Sequence, residues 1–480
     1  MSDAKSITKN VGFLYIGEII SQVLSFFLVI TLARYLGDTG LGKYSFAFSF
    51  VTIFLIIADL GLPTLITKEI SRNKKLTEVY LTKTFTLKLI LNLFTLLVTV
   101  IAISISKKDT EIIILVTLAG VSMFLYNFGG MFRAIFQAYE VMGYEAFSRI
   151  IERIIAVGLG IYLLMKGYGI LSLFVVIIIS NLIYYLLINI ITVKHISKIK
   201  FSVDYVFWKK TLKKSFPFWL TIIFISIYFR IDTIMLGYMK DFSAVGWYNA
   251  AYKIIEVLTR IPFLLIAAVF PVLSRFNYNS LDKAKLLYEK SFYYLLVLGL
   301  PITIGLFMLA DKIILSVYKT PFMNSIIVLK ILSFALFFVF VNYLMGYLLN
   351  AIDKQKLFTW ITGLSTAFNI ILNFILIPKF SYIGACVATV ASEILNFGLL
   401  YYFTDKNGFT IKILHILKKP FLATFAMSIF LYFFKQINII FLVLYSALIY
   451  FGVLLIIKGI GRDEINIIKS LYLDYHKNEK

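Results

Sequence analysis

The sequence predicts an all-α integral membrane protein with about fourteen transmembrane helices. Of its 480 residues, 60% are hydrophobic and only 15% are charged, and the mean hydropathy is +0.90. Soluble domains are about 45–50% apolar, so a soluble core cannot absorb this much apolar surface. The apolar residues also form runs of about 20, the length that a helix needs to cross a bilayer.

Fourteen such runs follow one another along the chain. The first follows Lys5 and Lys9 and is longer than a signal-peptide core, so we interpret it as a retained helix. An even number of spans places both termini on one side of the membrane. We expect spans near residues 10–34, 43–66, 84–105, 111–133, 147–166, 170–193, 214–238, 245–270, 291–310, 326–350, 357–377, 382–403, 418–435 and 437–457.

The basic residues between the spans predict the orientation. Alternate loops place 31 Lys and Arg residues on one side of the membrane and 10 on the other. Because cytoplasmic loops are enriched in Lys and Arg, both termini are expected to be cytoplasmic in a multi-pass protein of the cell membrane. The same bias explains the net charge of +22, so we expect no nucleic-acid partner.

An internal repeat predicts the domain organisation. The segment 36–44 resembles 239–248 at a shift of about 203 residues, and 166–170 resembles 379–383 at a shift of 213. Six helices in each repeat preserve sidedness, so the repeats are expected to be parallel. We predict an N-terminal six-helix lobe at 1–200, a C-terminal six-helix lobe at 201–405, and two additional helices with a cytoplasmic tail at 406–480.

Cysteine and histidine usage argues against disulfide and metal chemistry. Cys386 is the single cysteine, and His195, His415 and His476 fall in predicted loops or the tail. We therefore expect no metal site, no cofactor and no catalytic residue.

Three motifs resemble those of a known family. They are Gly42-Lys-Tyr44 at the start of the second span, Asp59-Leu-Gly-Leu-Pro63 late in it, and the segment 230–237 followed by 245–251. They resemble the polysaccharide and oligosaccharide flippases, relatives of the multidrug and toxin extruders within one transporter superfamily. The resemblance implies two lobes forming a V around a central cavity, alternating access, and a polyprenyl-linked glycan as cargo. Membrane lipids and a glycan polymerase or ligase are the partners that such a protein would meet.

Charged residues inside the spans are the candidate functional residues, because a charge at a helix centre costs about 2.5–3.5 kcal/mol on insertion scales. In the eighth span Lys253, Glu256 and Arg260 are spaced i, i+3 and i+7 and share one helical face. Glu256 and Arg260 can partly neutralise each other. The stripe is interpreted as a site for the pyrophosphate of a lipid-linked glycan, since Arg binds such oxygens bidentately. A structural ion pair between helices is the alternative.

Two further pairs complete the candidate substrate site. Arg230 and Asp232 in the seventh span point to nearly opposite faces and need different partners, although Arg230 could instead snorkel to the surface. Arg149 and Arg153 open the fifth span, where they would capture cargo or anchor the helix at the interface. Arg133, at the end of the fourth span, has the same two interpretations, and Lys88 is expected to snorkel. The predicted substrate-binding residues are Arg230, Lys253, Glu256, Arg260, Arg149, Arg153 and Asp232.

Three embedded acids are candidates for coupling transport to a proton or sodium gradient. Glu18 and Glu393 lie deep in their spans, where a protonated acid bonded to a neighbouring helix is the alternative. Asp59 precedes Gly61 and Pro63, and a role in breaking the helix is favoured over ion binding.

The leading hypothesis is a flippase that moves a polyprenyl-phosphate or polyprenyl-pyrophosphate oligosaccharide from the cytoplasmic to the outer leaflet. A multidrug or organic cation antiporter of the same superfamily is the main alternative, although it would favour a cavity dominated by acids and aromatics. A membrane glycosyltransferase would need catalytic acids on a sizeable outer loop, and the longest outer loop covers only about residues 311–325.

Overall fold

The computed structural model describes residues 2–198 and 200–460. Within these ranges the chain forms fourteen α-helices and two short 3-10 turns, and the described residues contain no strand, so the all-α fold class is confirmed. The cytoplasmic tail predicted after the last span, with His476, lies outside the described residues. The helices are α1 Ser2–Asp59, α2 Leu62–Arg72, α3 Thr77–Ile105, α4 Thr110–Ala138, α5 Gly143–Met165, α6 Gly169–His195, α7 Tyr205–Met239, α8 Phe242–Leu258, α9 Arg260–Asn279, α10 Leu281–Tyr318, α11 Ser325–Ala351, α12 Gln355–Lys406, α13 Ile413–Phe433 and α14 Ile439–Ile456.

Two helices are too long to be single spans. α1 has 58 residues and α12 has 52, or roughly 87 and 78 Å at 1.5 Å per residue, against a hydrocarbon core of about 30 Å. Each contains one residue with non-helical dihedrals, Gly37 in α1 (φ 70°, ψ −169°) and Ser381 in α12 (φ 52°, ψ −135°). Each is therefore two spans joined at a kink, close to where the sequence predicts a short outer turn.

The number of spans agrees with the sequence. Eleven stretches are long and apolar enough to cross a membrane, and two of them are the kinked helices. α8 and α9 together form one further stretch, Phe242–Phe276. α5 is not among the eleven, because its 23 residues include the charged Glu145, Arg149, Glu152 and Arg153. Counting α5 and both arms of the two kinked helices gives about fourteen crossings.

The chain divides into two compact units, Met1–Asn249 and Ala250–Lys480. In the first unit α1 packs against α3, α4, α5 and α7, and a buried core surrounds Phe132, Tyr184 and Trp208. In the second unit α11 packs against α9, α10 and α12, while α10 also packs against α13. The lobe boundaries at residues 200 and 405 rest on the sequence repeat and stay a prediction.

Large apolar side chains cover the helix surfaces. Trp360, Leu414 and Ile456 are 78%, 81% and 80% exposed, respectively. Such exposure would promote aggregation in water and is expected of helices that face lipid.

Candidate functional site

Arg149 joins two acids inside the first unit. Its guanidinium forms ion pairs with Glu18 of α1 and with Glu145, one turn earlier on α5. The sequence predicts Arg149 for cargo and Glu18 for ion coupling, and the structure brings the two side chains together. Glu145 is only 1% exposed and was not predicted, because it lies just before the fifth span as the sequence predicts it, at 147–166. Arg149 therefore compensates two acids at once.

Arg153 lies one turn after Arg149 on α5. Its Nε atom is 3.5 Å from Oε2 of Glu152, whose side chain is 3% exposed, whereas that of Arg153 is 27% exposed. The predicted pair thus lies at the edge of the buried region, with the acid inside and the guanidinium partly accessible.

Lys88 is fully buried, so the prediction that it snorkels is wrong. Its Nζ atom lies 3.4 Å from Oδ1 of Asp59, and its side chain is 0% exposed. The distance of Lys88 from its helix end suggested an escape to the surface, but the neighbouring helices enclose it.

Asp59 lies at a helix break, the role that the sequence favoured for it. It is the last residue of α1, and Leu60 (φ 44°) and Gly61 (φ 71°) separate it from α2, which has Pro63 in its first turn. The helix does break there, and the break places the carboxylate beside Lys88. Helix breaks inside a membrane need polar partners for the freed backbone groups.

Asp232 of α7 accepts a hydrogen bond from the hydroxyl of Tyr248 on α8, with an oxygen–oxygen distance of 2.6 Å. Both residues are buried, at 5% and 1% exposure. Arg230 is partly buried two positions earlier on α7. Tyr248 belongs to one of the motifs quoted above, but nothing in the sequence identifies it as the partner of Asp232.

The charged stripe of the eighth span lies across a helix boundary. Lys253 and Glu256 form an ion pair of 2.7 Å on α8, whereas Arg260 is the first residue of α9. α8 ends at Leu258 because Pro262 has no N–H to donate to the Leu258 carbonyl. The predicted sharing of one continuous helical face is therefore interrupted at Thr259.

Tyr343 of α11 is a member of this region that sequence analysis missed. Its hydroxyl interacts electrostatically with Glu393, Arg260 and Glu256 in the second unit. Tyrosine is common in the apolar runs of this chain, so no sequence signal distinguishes it. The structure thus groups the predicted substrate residues Glu256 and Arg260 with the predicted coupling residue Glu393.

Glu393 is held by a side chain from a neighbouring helix. The Asn342 amide on α11 donates to its Oε2 atom at 2.7 Å and to its backbone carbonyl at 3.1 Å. Both side chains are 5% exposed. Asn373 and Asn369 hydrogen-bond one turn apart on α12 at 2.9 Å, which adds a second buried amide pair to this unit.

The two segments of the first repeat motif meet at a reciprocal contact, which we call the glycine contact. A Cβ atom on Gly42 would overlap the carbonyl oxygen of Phe242, and one on Gly246 would overlap that of Asp38. The hydroxyls of Thr39 and Ser243 are 2.8 Å apart and 204 positions apart. Gly42 and Gly246 are 204 positions apart in the sequence, and so are Asp38 and Phe242, whose carbonyls they contact. The contact therefore has a local pseudo-two-fold symmetry.

Two family models match the chain. The model described as polysaccharide biosynthesis protein matches residues 7–277, more than half of the chain. The model described as MatE matches residues 217–375. These matches confirm the resemblance inferred from the motifs.

Proteins with related sequences include two from Methanocaldococcus jannaschii and Haloferax volcanii. An uncharacterized membrane protein of Methanocaldococcus jannaschii is 30% identical over 249 residues, 49% of this chain and 47% of that protein, so the chain spans about half of its length. A probable low-salt glycan biosynthesis flippase, Agl15 of Haloferax volcanii, is 26% identical over 80% of each chain.

Solved structures with the same fold include an inward closed conformation of the lipid II flippase MurJ. It has a TM-score of 0.76 and 18% identity, and the alignment covers 97% of this chain and 99% of that one. An inward-facing multidrug resistance MATE family transporter has a TM-score of 0.66 and 16% identity over 83% of this chain and 98% of that one. At these identities the likeness shows the fold, which is the predicted one of two six-helix lobes with two additional helices.

Proposed function

The chain belongs to the polysaccharide biosynthesis protein family, and from that membership we propose that it is a flippase for cell-surface glycan assembly. It moves a polyprenyl-phosphate or polyprenyl-pyrophosphate oligosaccharide from the cytoplasmic to the outer leaflet by alternating access, without covalent chemistry. The observation that carries the proposal is the family match over residues 7–277, together with a probable glycan flippase aligned over 80% of both chains.

The embedded charges fit an anionic headgroup. In this proposal the basic side chains of Arg149, Arg153, Arg230, Lys253 and Arg260 contact the phosphate groups in turn as the cargo crosses. Their carboxylate neighbours reduce the cost of holding these cations in the membrane when no cargo is bound. Glu256 and Asp232 have this supporting role, with Tyr248 orienting Asp232.

Coupling to a proton or sodium gradient is part of the proposal, with Glu18, Asp59 and Glu393 as candidates. Glu18 and Asp59 contact the basic Arg149 and Lys88. Glu393 is buried and accepts a hydrogen bond from the neutral amide of Asn342. A carboxylate at this depth is costly unless a proton or a cation neutralises it. We therefore favour Glu393 as the coupling residue, and Glu393→Gln should abolish any acceleration by an imposed gradient in the vesicles described below.

The MatE match over residues 217–375 favours one alternative, the export of organic cations. The two functions differ in the charge of the cargo, so one preparation separates them. Purified protein is reconstituted in liposomes with either a labelled polyprenyl-pyrophosphate oligosaccharide or an organic cation, and transfer of each across the bilayer is measured. We expect leaflet transfer of the glycan lipid, and we expect Lys253→Ala and Arg260→Ala each to slow it about tenfold, the loss of one charge-assisted contact. Transfer of the cation alone would assign the protein to the multidrug branch.

Orientation and partners complete the proposal. Both termini are cytoplasmic, the lobes are 1–200 and 201–405, and residues 406–480 add two helices and a tail. Orientation is measured in the same vesicles after Cys386→Ala, because an impermeant maleimide should label a cysteine at Lys166 from outside and one at Lys198 only from inside. The product of transfer would be delivered to a glycan polymerase or ligase on the outer surface.

A further inference from the structure

Five basic side chains lie on α3, α4 and α5, and four of them contact an acid. Lys88 and Arg149 contact Asp59 and the Glu18–Glu145 pair, as described above. The other two pairs are Lys83 with Asp204 at 2.7 Å and Arg153 with Glu152 at 3.5 Å. Arg133 of α4 is the fifth, and among the described residues no carboxylate lies within ion-pair distance of it.

Arg133 is not at the protein surface. It is partly buried, five residues before α4 ends at Ala138, and its helical neighbours Phe132 and Ala134 are fully buried. Its guanidinium interacts electrostatically with the cations of Arg149 and Lys88 and with the carboxylate of Glu145, which is already paired with Arg149. A buried cation that no carboxylate contacts directly is destabilising in this setting unless an anion binds to it.

The atoms next to the side-chain-free face of Gly130 are polar and include the Arg133 guanidinium. A Cβ atom on Gly130 would meet only Nη2 of Arg133 at 3.6 Å and Oδ1 of Asn127 at 4.0 Å. Tyr126 and Tyr184 are electrostatic neighbours of Arg133, and their rings stack with centroids 5.8 Å apart. Gly129 makes this arrangement possible, because a side chain there would overlap the Tyr184 ring. A guanidinium next to tyrosines and a glycine can bind a tetrahedral oxyanion through parallel N–H donors.

We propose that Arg133 binds a phosphate oxyanion in the space beside Gly130 and is a cargo-binding residue of the first unit. The identification of this phosphate with that of a carrier lipid rests on the proposed function. A phospholipid headgroup and inorganic diphosphate share the chemistry, and the test below distinguishes them.

Binding is measured on the purified full-length protein with polyprenyl diphosphate that carries no glycan, and with polyprenol as the ligand without phosphate. Arg133→Gln should weaken binding of the diphosphate about tenfold to a hundredfold, the loss of a charge-assisted contact, and leave polyprenol binding unchanged. Arg133→Lys should bind the diphosphate more tightly than Arg133→Gln and more weakly than the parent, because a lysine keeps the charge and loses the bidentate geometry. Lys83→Gln is the matched control, since it removes an equal charge from a paired site and should bind like the parent.

Thermal unfolding separates a binding role from a structural one. Arg133→Gln leaves no acid without its partner, so its Tm should match the parent's, whereas Arg149→Gln strands Glu18 and Glu145 and should lower the Tm. A Tm that falls for Arg133→Gln as far as for Arg149→Gln, or diphosphate binding equal to the parent's, would overturn the proposal. Should Arg133→Gln fail to fold, Gly130→Leu fills the same space with the charge intact and must weaken diphosphate binding.

The source of the phosphate follows from competition. Displacement of polyprenyl diphosphate by inorganic diphosphate, but not by phosphatidylglycerol, supports a site for the carrier's diphosphate. Equal displacement by phosphatidylglycerol in an Arg133-dependent way supports a phospholipid site. Binding can be measured without transfer between leaflets. If the protein binds diphosphate through Arg133 but transfers no glycan lipid, the phosphate site is supported and the proposed flippase function is rejected.

Discussion

Several charged side chains in this protein contact a group of opposite charge that is distant in the sequence. Lys88 contacts Asp59 across 29 positions of sequence, and Arg149 contacts Glu18 across 131. Burying either member alone would cost several kcal/mol, and the partner recovers much of that cost. The arrangement explains how so many ionisable groups remain inside membrane helices.

The Asp59–Lys88 pair gives a direct test of this compensation. Asp59→Asn leaves the ammonium of Lys88 buried without a carboxylate, so the free energy of unfolding should fall by about 3 kcal/mol. The double variant Asp59→Asn/Lys88→Met removes both charges and should recover most of the loss. Unfolding in mixed detergent micelles measures both. A double variant that is no more stable than Asp59→Asn would contradict the compensation.

The sequence identifies which residues are charged and embedded, and it misses most of their partners. Lys253 and Glu256 are neighbours on one helix turn, so their spacing permits the contact, although the pair predicted from the sequence was Glu256 with Arg260. Arg149 and Glu18 meet because α1 packs against α5, and no local pattern contains that information. Lys88 shows a different error, since it was placed near the start of a span at 84–105, whereas α3 begins at Thr77 and the neighbouring helices enclose the side chain.

At the element scale, one helix break occurs where glycine and proline predicted it, at Gly61 and Pro63 after α1. Gly37 and Ser381 divide the two long helices, and Pro262 follows the end of α8. Glycine and proline act through the backbone, by adopting positive φ or by lacking an N–H, so they can be read from the sequence. Ser381 also has a positive φ, and nothing in the sequence identified it. The close approach at the glycine contact could not be predicted. The absence of a Cβ atom on a glycine becomes informative only when the carbonyl that it contacts is known.

The glycine contact predicts a specific sensitivity. Gly42→Ala and Gly246→Ala each place a methyl group against a backbone carbonyl, and the resulting strain of about 1–3 kcal/mol should hold the contact open. If alternation requires this contact to close, glycan transfer should slow about tenfold in either variant. Gly158→Ala is the matched control, because a Cβ atom there meets nothing within 4 Å and α5 should accept it. Transfer at the parent's rate in Gly42→Ala would separate the contact from the transport cycle.

At the scale of the whole molecule, the fold class, the number of spans and the family were predicted from composition, periodicity and a few motifs. The fold class and the spans could be predicted because the bilayer requires every span to satisfy its backbone polar groups within a helix. The lobe boundaries are harder to obtain, since the compact units divide within α8, at Asn249, whereas the repeat suggests residue 200. A sequence repeat reports the similarity of two segments of the chain, whereas the compact units report which helices pack together in one conformation.

One cross-link tests alternating-access glycan transfer most directly. Cys386 is first replaced by alanine, and then Thr39→Cys and Ser243→Cys place two thiols where the hydroxyls are now 2.8 Å apart, close enough for a disulfide. We predict that proteoliposomes with the oxidised protein do not transfer labelled polyprenyl-pyrophosphate oligosaccharide between leaflets, that reduction restores the parent rate, and that Thr39→Cys alone is insensitive to oxidant. Transfer at the parent's rate by fully cross-linked protein, or no transfer by the parent itself, would contradict the account.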